Sequence, residues 1–352
     1  MTKRAVRVFI VDDSGVSRSV LRTLVEADGQ SVVVGEASDG REALDRIPLT
    51  LPDVVLMDIM MARMDGLEAT RALMHSCPRP VLIVSDLVGR DADLNFKALE
   101  AGALDLVRKP SAAELGDPAT ADRLRRKVRL LSEVPVVTRR GRAQRRAVPD
   151  QAADSASEPG PSGVSMVCIG ASTGGPPVIL KILAALGDGP AWPILVVQHM
   201  SPGFTPGFAK WLSESSGIKV VVAEHGIRPK RGVVYVAGED RHLRVDGRCL
   251  VLDDAPPLSG HRPSVDVLFN SVAERGFAAE TIAVLLTGMG RDGAHGLGRI
   301  RDAGGWTIAQ DEATSVVYGM PKAAVDVGAA REVLGVEAII SRLQTVGRGS
   351  MS

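Results

Sequence analysis

Short β-branched runs alternate with amphipathic stretches from Val6 onward: VRVFIVDD, SRSVLRTLVEA, SVVVGEA, REALDRI, DVVLMDI, GLEATRALM, RPVLIVSD, a polar stretch leading to KALEAGA, and LDLVRKP. Strands buried on both sides read as continuous apolar runs, and their alternation with helices predicts a parallel sheet covered on both faces. From about Lys127 the pattern fails. Thr138 to Gly163 is rich in Arg, Ala, Ser, Pro and Gly with almost no large apolar residue, which predicts a disordered linker. Its RRGRAQRR run reads as solvated, and no site is assigned to it. Order resumes at SMVCIG and continues through PILVVQH, KVVVAEH, GVVYVAG, RCLVLDD, TIAVLLTG and WTIAQ, with helical stretches such as PPVILKILAAL between several of them. A second α/β domain is expected there, with a hairpin-like insertion around Val233 to Leu252. The expected organisation is two doubly wound parallel-sheet domains, 4–128 and 164–345, joined by a linker over 129–163.

Composition narrows the function classes. The 352 residues suffice for two ordinary domains, and a hydrophobic content of 45% fills a core in each. A formal net charge of zero and a pI near 7.0 give no global field for nucleic acid or an anionic membrane. The three cysteines, Cys77, Cys168 and Cys249, are too scattered for a disulfide framework or a zinc cluster and are expected to be reduced. Met1 to Arg7 is basic, but the apolar run behind it spans only Val8 to Val11, too short for a signal peptide or a membrane span. A cytoplasmic protein without membrane insertion is expected.

In doubly wound sheets, functional groups gather at the carboxyl ends of strands. Asp12 and Asp13 end the first strand, Asp58 the strand DVVLMD, Ser85 the strand VLIVS, and Lys109 the strand LDLVRK. Each aspartate taken singly is an ordinary turn or helix cap. Three carboxylates forced together need a hard divalent cation, and oxygen ligands favour Mg2+. With a lysine and a hydroxyl beside them, they describe a phosphoryl-acceptor pocket.

The second domain carries a different chemistry. VCIGASTGGP takes Ser172 from an apolar strand through a glycine turn into a helix, a pattern that on its own equally describes a phosphate-binding turn. LVVQH delivers His199 at the end of the next apolar strand, where it can serve as base to Ser172. AVLLTGMGRDG adds Asp292, able to fix the tautomer of His199 or simply to cap the following helix. Main-chain N–H groups from Thr173 to Gly175, or around Met289, are candidates for an oxyanion hole. His75, His225, His242, His261 and His295 have no evident serine partner and read as structural or exposed. HExxH and CxxC spacings are absent, which argues against a zinc hydrolase.

Two resemblances gather these motifs. VDDS, LMDIMMARMDG and VRKP, at their spacing, resemble a response-regulator receiver domain, which implies a flavodoxin-like fold. That resemblance implies phosphorylation of Asp58, Mg2+ held by Asp13, Asp58 and the Met60 carbonyl with Asp12 in support, phosphoryl sensing by Ser85 and Lys109, and a cis Lys109–Pro110 peptide. Ala62 stands where the family usually has Pro, and Asp86 where a small residue is usual. IGASTGGP, VVQHM followed by PGFT, YVA with HL, RPSVDVLFNS, LLTGMGRDGAHG and AQDEATSVVYGMPKAA closely resemble the catalytic domain of the chemotaxis protein-glutamate methylesterase (CheB) family, implying a Rossmann-like fold. That resemblance implies a Ser172–His199–Asp292 triad supported by Thr173 and Met289, with no cofactor for the esterase site. It further implies methyl-accepting chemotaxis receptors as substrates, deamidation of their glutamines, a chemotaxis histidine kinase as phosphodonor, and a receiver that covers the cleft until phosphorylated. Gly238–Glu239 replaces a proline-containing segment at the rim. A phospho-switch with a purely binding output lacks any use for the triad, and a DNA-binding output lacks a basic recognition helix.

Overall fold

The computed structural model describes residues 4–86, 92–111, 113–114, 117–134, 136, 163–187 and 189–349. The chain divides into two compact units, 1–151 and 152–352. Of the expected linker over 129–163, residues 137–162, with the basic run, lie outside the described residues.

The first unit has five strands: β1 (Val6–Val11), β2 (Ser31–Ala37), β3 (Val54–Met57), β4 (Val81–Ser85) and β5 (Asp105–Arg108). All pair in parallel, in the order β2-β1-β3-β4-β5. VVLM in β3 and VLIVS in β4 are buried along their whole length, as strands covered on both faces must be. On one face Val8, Ile10, Leu56, Leu82 and Val84 pack with Leu21, Leu24, Leu124 and Val128 from the helices Gly15–Glu26 and Pro118–Ser132. The second of these helices runs through Ser132, past the expected boundary at 128, and keeps Leu131 in the core. The chain leaves β1 for β2 on one side and then β3 on the other, so the carboxyl ends of β1 and β3 flank a topological switch point.

The second unit has nine strands: β6 (Met166–Ala171), β7 (Ile194–Gln198), β8 (Lys219–Val222), β9 (Val233–Val236), β10 (His242–Asp246), β11 (Cys249–Asp253), β12 (Thr281–Leu285), β13 (Trp306–Gln310) and β14 (Glu332–Leu334). Seven form one parallel sheet in the order β14-β13-β12-β6-β7-β9-β8. The expected hairpin over Val233–Leu252 is corrected here. Val233–Val236 is an interior strand between β7 and β8, as its uninterrupted apolar run VVYV requires. The antiparallel hairpin is β10 with β11, joined by a two-residue turn whose Gly247 has φ +57°. Here too the chain leaves β6 first toward β7 and later toward β12, which places the switch point at the carboxyl ends of β6 and β12. The three cysteines are free, and burial pushes the Cys168 thiol well above its usual range. Among the described residues no helix is long and apolar enough to cross a membrane.

Candidate functional site

At the switch point of the first sheet, Asp12, Asp13 and Asp58 bring one carboxylate oxygen each to within 4.8 Å of the others. Asp12 and Asp58 are buried and Asp13 is exposed. Lys109 Nζ lies 2.7 Å from Asp12 Oδ2 and 2.9 Å from Asp58 Oδ2. Burial pushes the Asp58 carboxyl up against the opposing pull of Lys109. Burial pulls the Lys109 ammonium down, but the two carboxylates outweigh it and hold it above its usual range. Ser85, buried at the end of β4, is tied to Lys109 through the Lys109 N–H to Ser85 carbonyl bond of 3.0 Å. Three carboxylates facing a single ammonium form an anionic set of hard oxygen donors, which fits a divalent cation such as Mg2+. Met60 lies next to this cluster on an exposed segment of the β3 loop. Among the described residues the one cis peptide is Arg262–Pro263, so Lys109–Pro110 is trans, contrary to expectation. Trans is the default for an X–Pro bond, by about 0.5–1 kcal/mol.

The loop after β3 is closed by the Gly66 N–H bond to the Ile59 carbonyl, 2.9 Å, and by Asp65, whose side chain accepts from Glu68 N–H and starts the next helix. A Cβ on Gly66 would sit 1.9 Å from the Asp58 carbonyl oxygen. Gly66→Ala therefore displaces the backbone of Asp58. The expected outcome is a loss of stability of about 1–3 kcal/mol, read as a lower urea midpoint.

In the second unit Ala171 and Gln198 are register partners, so Ser172 and His199 continue adjacent strands by one residue. The ladder persists there: His199 N–H donates to Ala171 carbonyl at 2.9 Å and Ser172 N–H to Thr287 carbonyl at 3.0 Å. Ser172 is thus held between the extensions of β7 and β12. Gly288 packs against it, since a Cβ there would lie 2.7 Å from Ser172 Cβ. Gln198, buried, donates its amide to both the Ser172 and His199 carbonyls at 2.8 Å and so ties the two turns together. Gly175 N–H is committed to the Ser172 carbonyl at 2.8 Å, which removes it from the candidate oxyanion donors. Thr173 is buried beside Ser172 with its carbonyl bound by the Thr287 hydroxyl at 2.9 Å, and Met289 is half-buried next to Gly288.

Asp292 is 1% exposed and accepts four hydrogen bonds. Oδ2 takes His199 Nε2 at 2.8 Å and Val265 N–H at 2.7 Å, and Oδ1 takes the Ser264 hydroxyl at 2.7 Å and Asp266 N–H at 3.1 Å. Burial pushes this carboxyl up, but the bond to His199, its charge and the Ser264 hydroxyl outweigh burial and hold Asp292 down at about 2. Sequence reasoning missed the cradle supplied by Ser264. Its signal was the Pro263–Ser264 start ahead of the apolar run VDVLF, an N-cap signature. His242, read from sequence as a weak candidate, is fully buried, accepts Ser264 N–H at Nδ1 (3.2 Å) and contacts the Pro256 carbonyl through Nε2 (3.2 Å). It therefore fixes Ser264 and, through it, Asp292. His199 Nδ1 is buried without a hydrogen-bond partner, which leaves that nitrogen for an incoming proton.

The Gly238–Glu239 departure has a structural account. Glu239 Oε1 accepts Thr205 N–H at 3.0 Å, at the start of the helix Thr205–Ser216, whose preceding residue, Phe204, provides no side-chain cap. A carboxylate at a helix N-terminus is favourably placed.

The family described as CheB methylesterase matches residues 167–343, and the family described as response regulator receiver domain matches residues 8–117. Protein-glutamate methylesterase/protein-glutamine glutaminase 4 of Myxococcus xanthus is 42% identical over 99% of both chains, and its counterpart numbered 2 from Pseudomonas aeruginosa is 41% identical over 98% of both. The crystal structure of the Thermotoga maritima CheB methylesterase catalytic domain matches with a TM-score of 0.50 at 40% identity, covering 52% of this chain and 98% of that one. Both segments match in order, and the identity is sustained across nearly the whole length. The chain therefore belongs to the CheB family of protein-glutamate methylesterase/protein-glutamine glutaminases that carry a response regulator receiver domain.

Proposed function

We propose that the unit over 164–345 hydrolyses γ-glutamyl methyl esters, and deamidates glutamines, on methyl-accepting chemotaxis receptors through Ser172, His199 and Asp292. The unit over 4–132, joined to it through 133–163, raises that activity when a chemotaxis histidine kinase phosphorylates Asp58 in the cytoplasm. The observation that carries the reading is the Nε2–Oδ2 bond of 2.8 Å between His199 and Asp292, at adjacent turns with Ser172, with His199 Nδ1 left unpartnered.

With Asp292 holding the proton on Nε2, Nδ1 is the basic nitrogen. It takes the Ser172 hydroxyl proton as Oγ bonds to the γ-carbonyl carbon. Negative charge gathers on the carbonyl oxygen, for which the main-chain N–H groups of Thr173 and Met289 are candidate donors. When that tetrahedral species collapses, the C–OCH3 bond breaks, the His199 proton goes to the leaving oxygen, and methanol departs. Water, deprotonated by Nδ1, then attacks the acyl carbon, the C–Oγ bond breaks, and glutamate and Ser172 are restored. A glutamine follows the same route with ammonia as the leaving group, which depends more on proton delivery by His199. In the receiver, an Asp58 carboxylate oxygen bonds to phosphorus as the donor bond breaks, and Lys109 neutralises charge on the phosphoryl oxygens. Asp12, Asp13, Asp58 and the Met60 carbonyl would hold Mg2+, which would supply further charge neutralisation there.

The test is methanol release from methylated receptor-containing membranes. Wild-type protein with a small-molecule phosphodonor and Mg2+ is expected to release methanol faster than without the donor. Asp58→Asn is expected to retain the unstimulated rate and show no rise. A rise that persists in Asp58→Asn refutes the regulatory half, and no release under any condition refutes the substrate class.

A further inference from the structure

His261 lies flat against the ring of His199, with centroids 3.9 Å apart and an interplanar angle of 0°. The contact joins two different elements. His261 sits in the loop between β11 and the helix Val265–Glu274, where its own backbone bridges to Leu258 (His261 N–H to Leu258 carbonyl 3.0 Å, Leu258 N–H to His261 carbonyl 3.1 Å). This bridge shapes the turn without His199, and the neighbouring Arg262 ties the loop to Asp240 at 2.6 Å. We propose that His261 is a positioning residue of the esterase site that sets the ring plane of His199, and hence where Nδ1 points. This rests on the Ser–His–Asp reading above.

The need for such a residue follows from the geometry of imidazole. Nε2 lies close to the extension of the Cβ–Cγ bond, whereas Nδ1 lies well off it. Rotation about that bond swings Nδ1 through a much wider arc than Nε2. The bond to Asp292 consequently fixes the direction of the ring and leaves its plane weakly restrained, and this torsion has no sharp intrinsic wells. Nδ1 makes no hydrogen bond of its own, so it cannot hold the plane either. A flat partner stacked at 3.9 Å supplies the missing restraint, because turning His199 out of the parallel arrangement drives its edge into the His261 face. The same face excludes water from one side of the imidazole.

The prediction separates the plane of His261 from its nitrogens. In the full-length, phosphodonor-treated protein, His261→Ala is expected to lower kcat for methanol release by about 10- to 100-fold, the penalty of a reacting group misplaced by about an ångström. KM stays within about twofold, since ground-state binding is untouched. His261→Phe, which restores a flat ring without nitrogens, recovers most of the lost kcat. Thermal unfolding of each variant is followed in parallel, and an Ala variant that folds as wild type with unchanged kcat overturns the proposal. Equal losses in Ala and Phe variants also overturn it, since the nitrogens would then matter instead of the plane. So does a loss confined to KM, which would make His261 a substrate contact. A Ser172→Ala control keeps the two readings apart: if that protein still releases methanol, the triad reading fails first, whereas an inactive Ser172→Ala beside a fully active His261→Ala defeats only this inference.

Discussion

Ser172→Ala is expected to remove essentially all catalysed methanol release, a loss on the order of 10^6 in kcat if Ser172 acts as the nucleophiles of other serine hydrolases do. The substitution deletes Oγ and nothing else. Cβ remains against Gly288, and both main-chain bonds at Ser172 survive, from its N–H to Thr287 and from Gly175 to its carbonyl. The variant should unfold at the wild-type temperature and, on the proposed reading, still take phosphate at Asp58. Measured with methylated membranes and phosphodonor, residual release within tenfold of wild type would mean that another group attacks the ester.

Asp292→Asn is expected to lower kcat by about 10^4-fold, because an amide oxygen or nitrogen facing Nε2 no longer selects the tautomer that leaves Nδ1 basic, nor stabilises the imidazolium. A second consequence concerns stability. Asp292 has an ordinary value of 3.8 and is held at about 2 in the folded chain. Its depressed pKa means that the folded state binds the proton less readily than the unfolded chain. The carboxylate therefore contributes about 2 kcal/mol above its unfolded value, and that contribution is lost as pH falls from near 4 toward 2. Comparing acid unfolding of wild type and Asp292→Asn over this window, the wild type should lose stability more steeply. Parallel curves would show that Asp292 is not held ionised by its neighbours.

How much of this was legible in the sequence depends on how local each signal is. Strands such as VVLM and ILVVQ are continuous apolar runs, and the residues that end them, Asp58 and His199, stand where the sheet topology needs them. The helix Pro118–Ser132 was not read because its charged face masks the apolar stripe. Yet Leu124, Val128 and Leu131 recur at helical spacing and all three are buried. β9 was assigned to a hairpin because its neighbour in sequence is a hairpin strand, while its neighbours in space are β7 and β8. Ser264, His242 and His261 were missed for a related reason. They matter only through partners distant in sequence, Asp292 lying 28 residues from Ser264 and His199 62 from His261, and no spacing rule connects them. A histidine screened for a serine partner is overlooked when its partner is another histidine.

The four hydrogen bonds that converge on Asp292 arrive from the first turn of one helix, from that helix's capping hydroxyl and from the His199 imidazole. When His199 becomes a cation in the proposed reaction, the groups that must answer that charge are already aligned, and none has to swing or be recruited from solvent. In water the same step would require dipoles to turn around a newborn ion pair, and that work would be part of the barrier. Here it was done during folding, so the reorganisation energy of the proton transfer is small, and the helix Val265–Glu274 acts as a solvent that is frozen in the orientation the reaction needs.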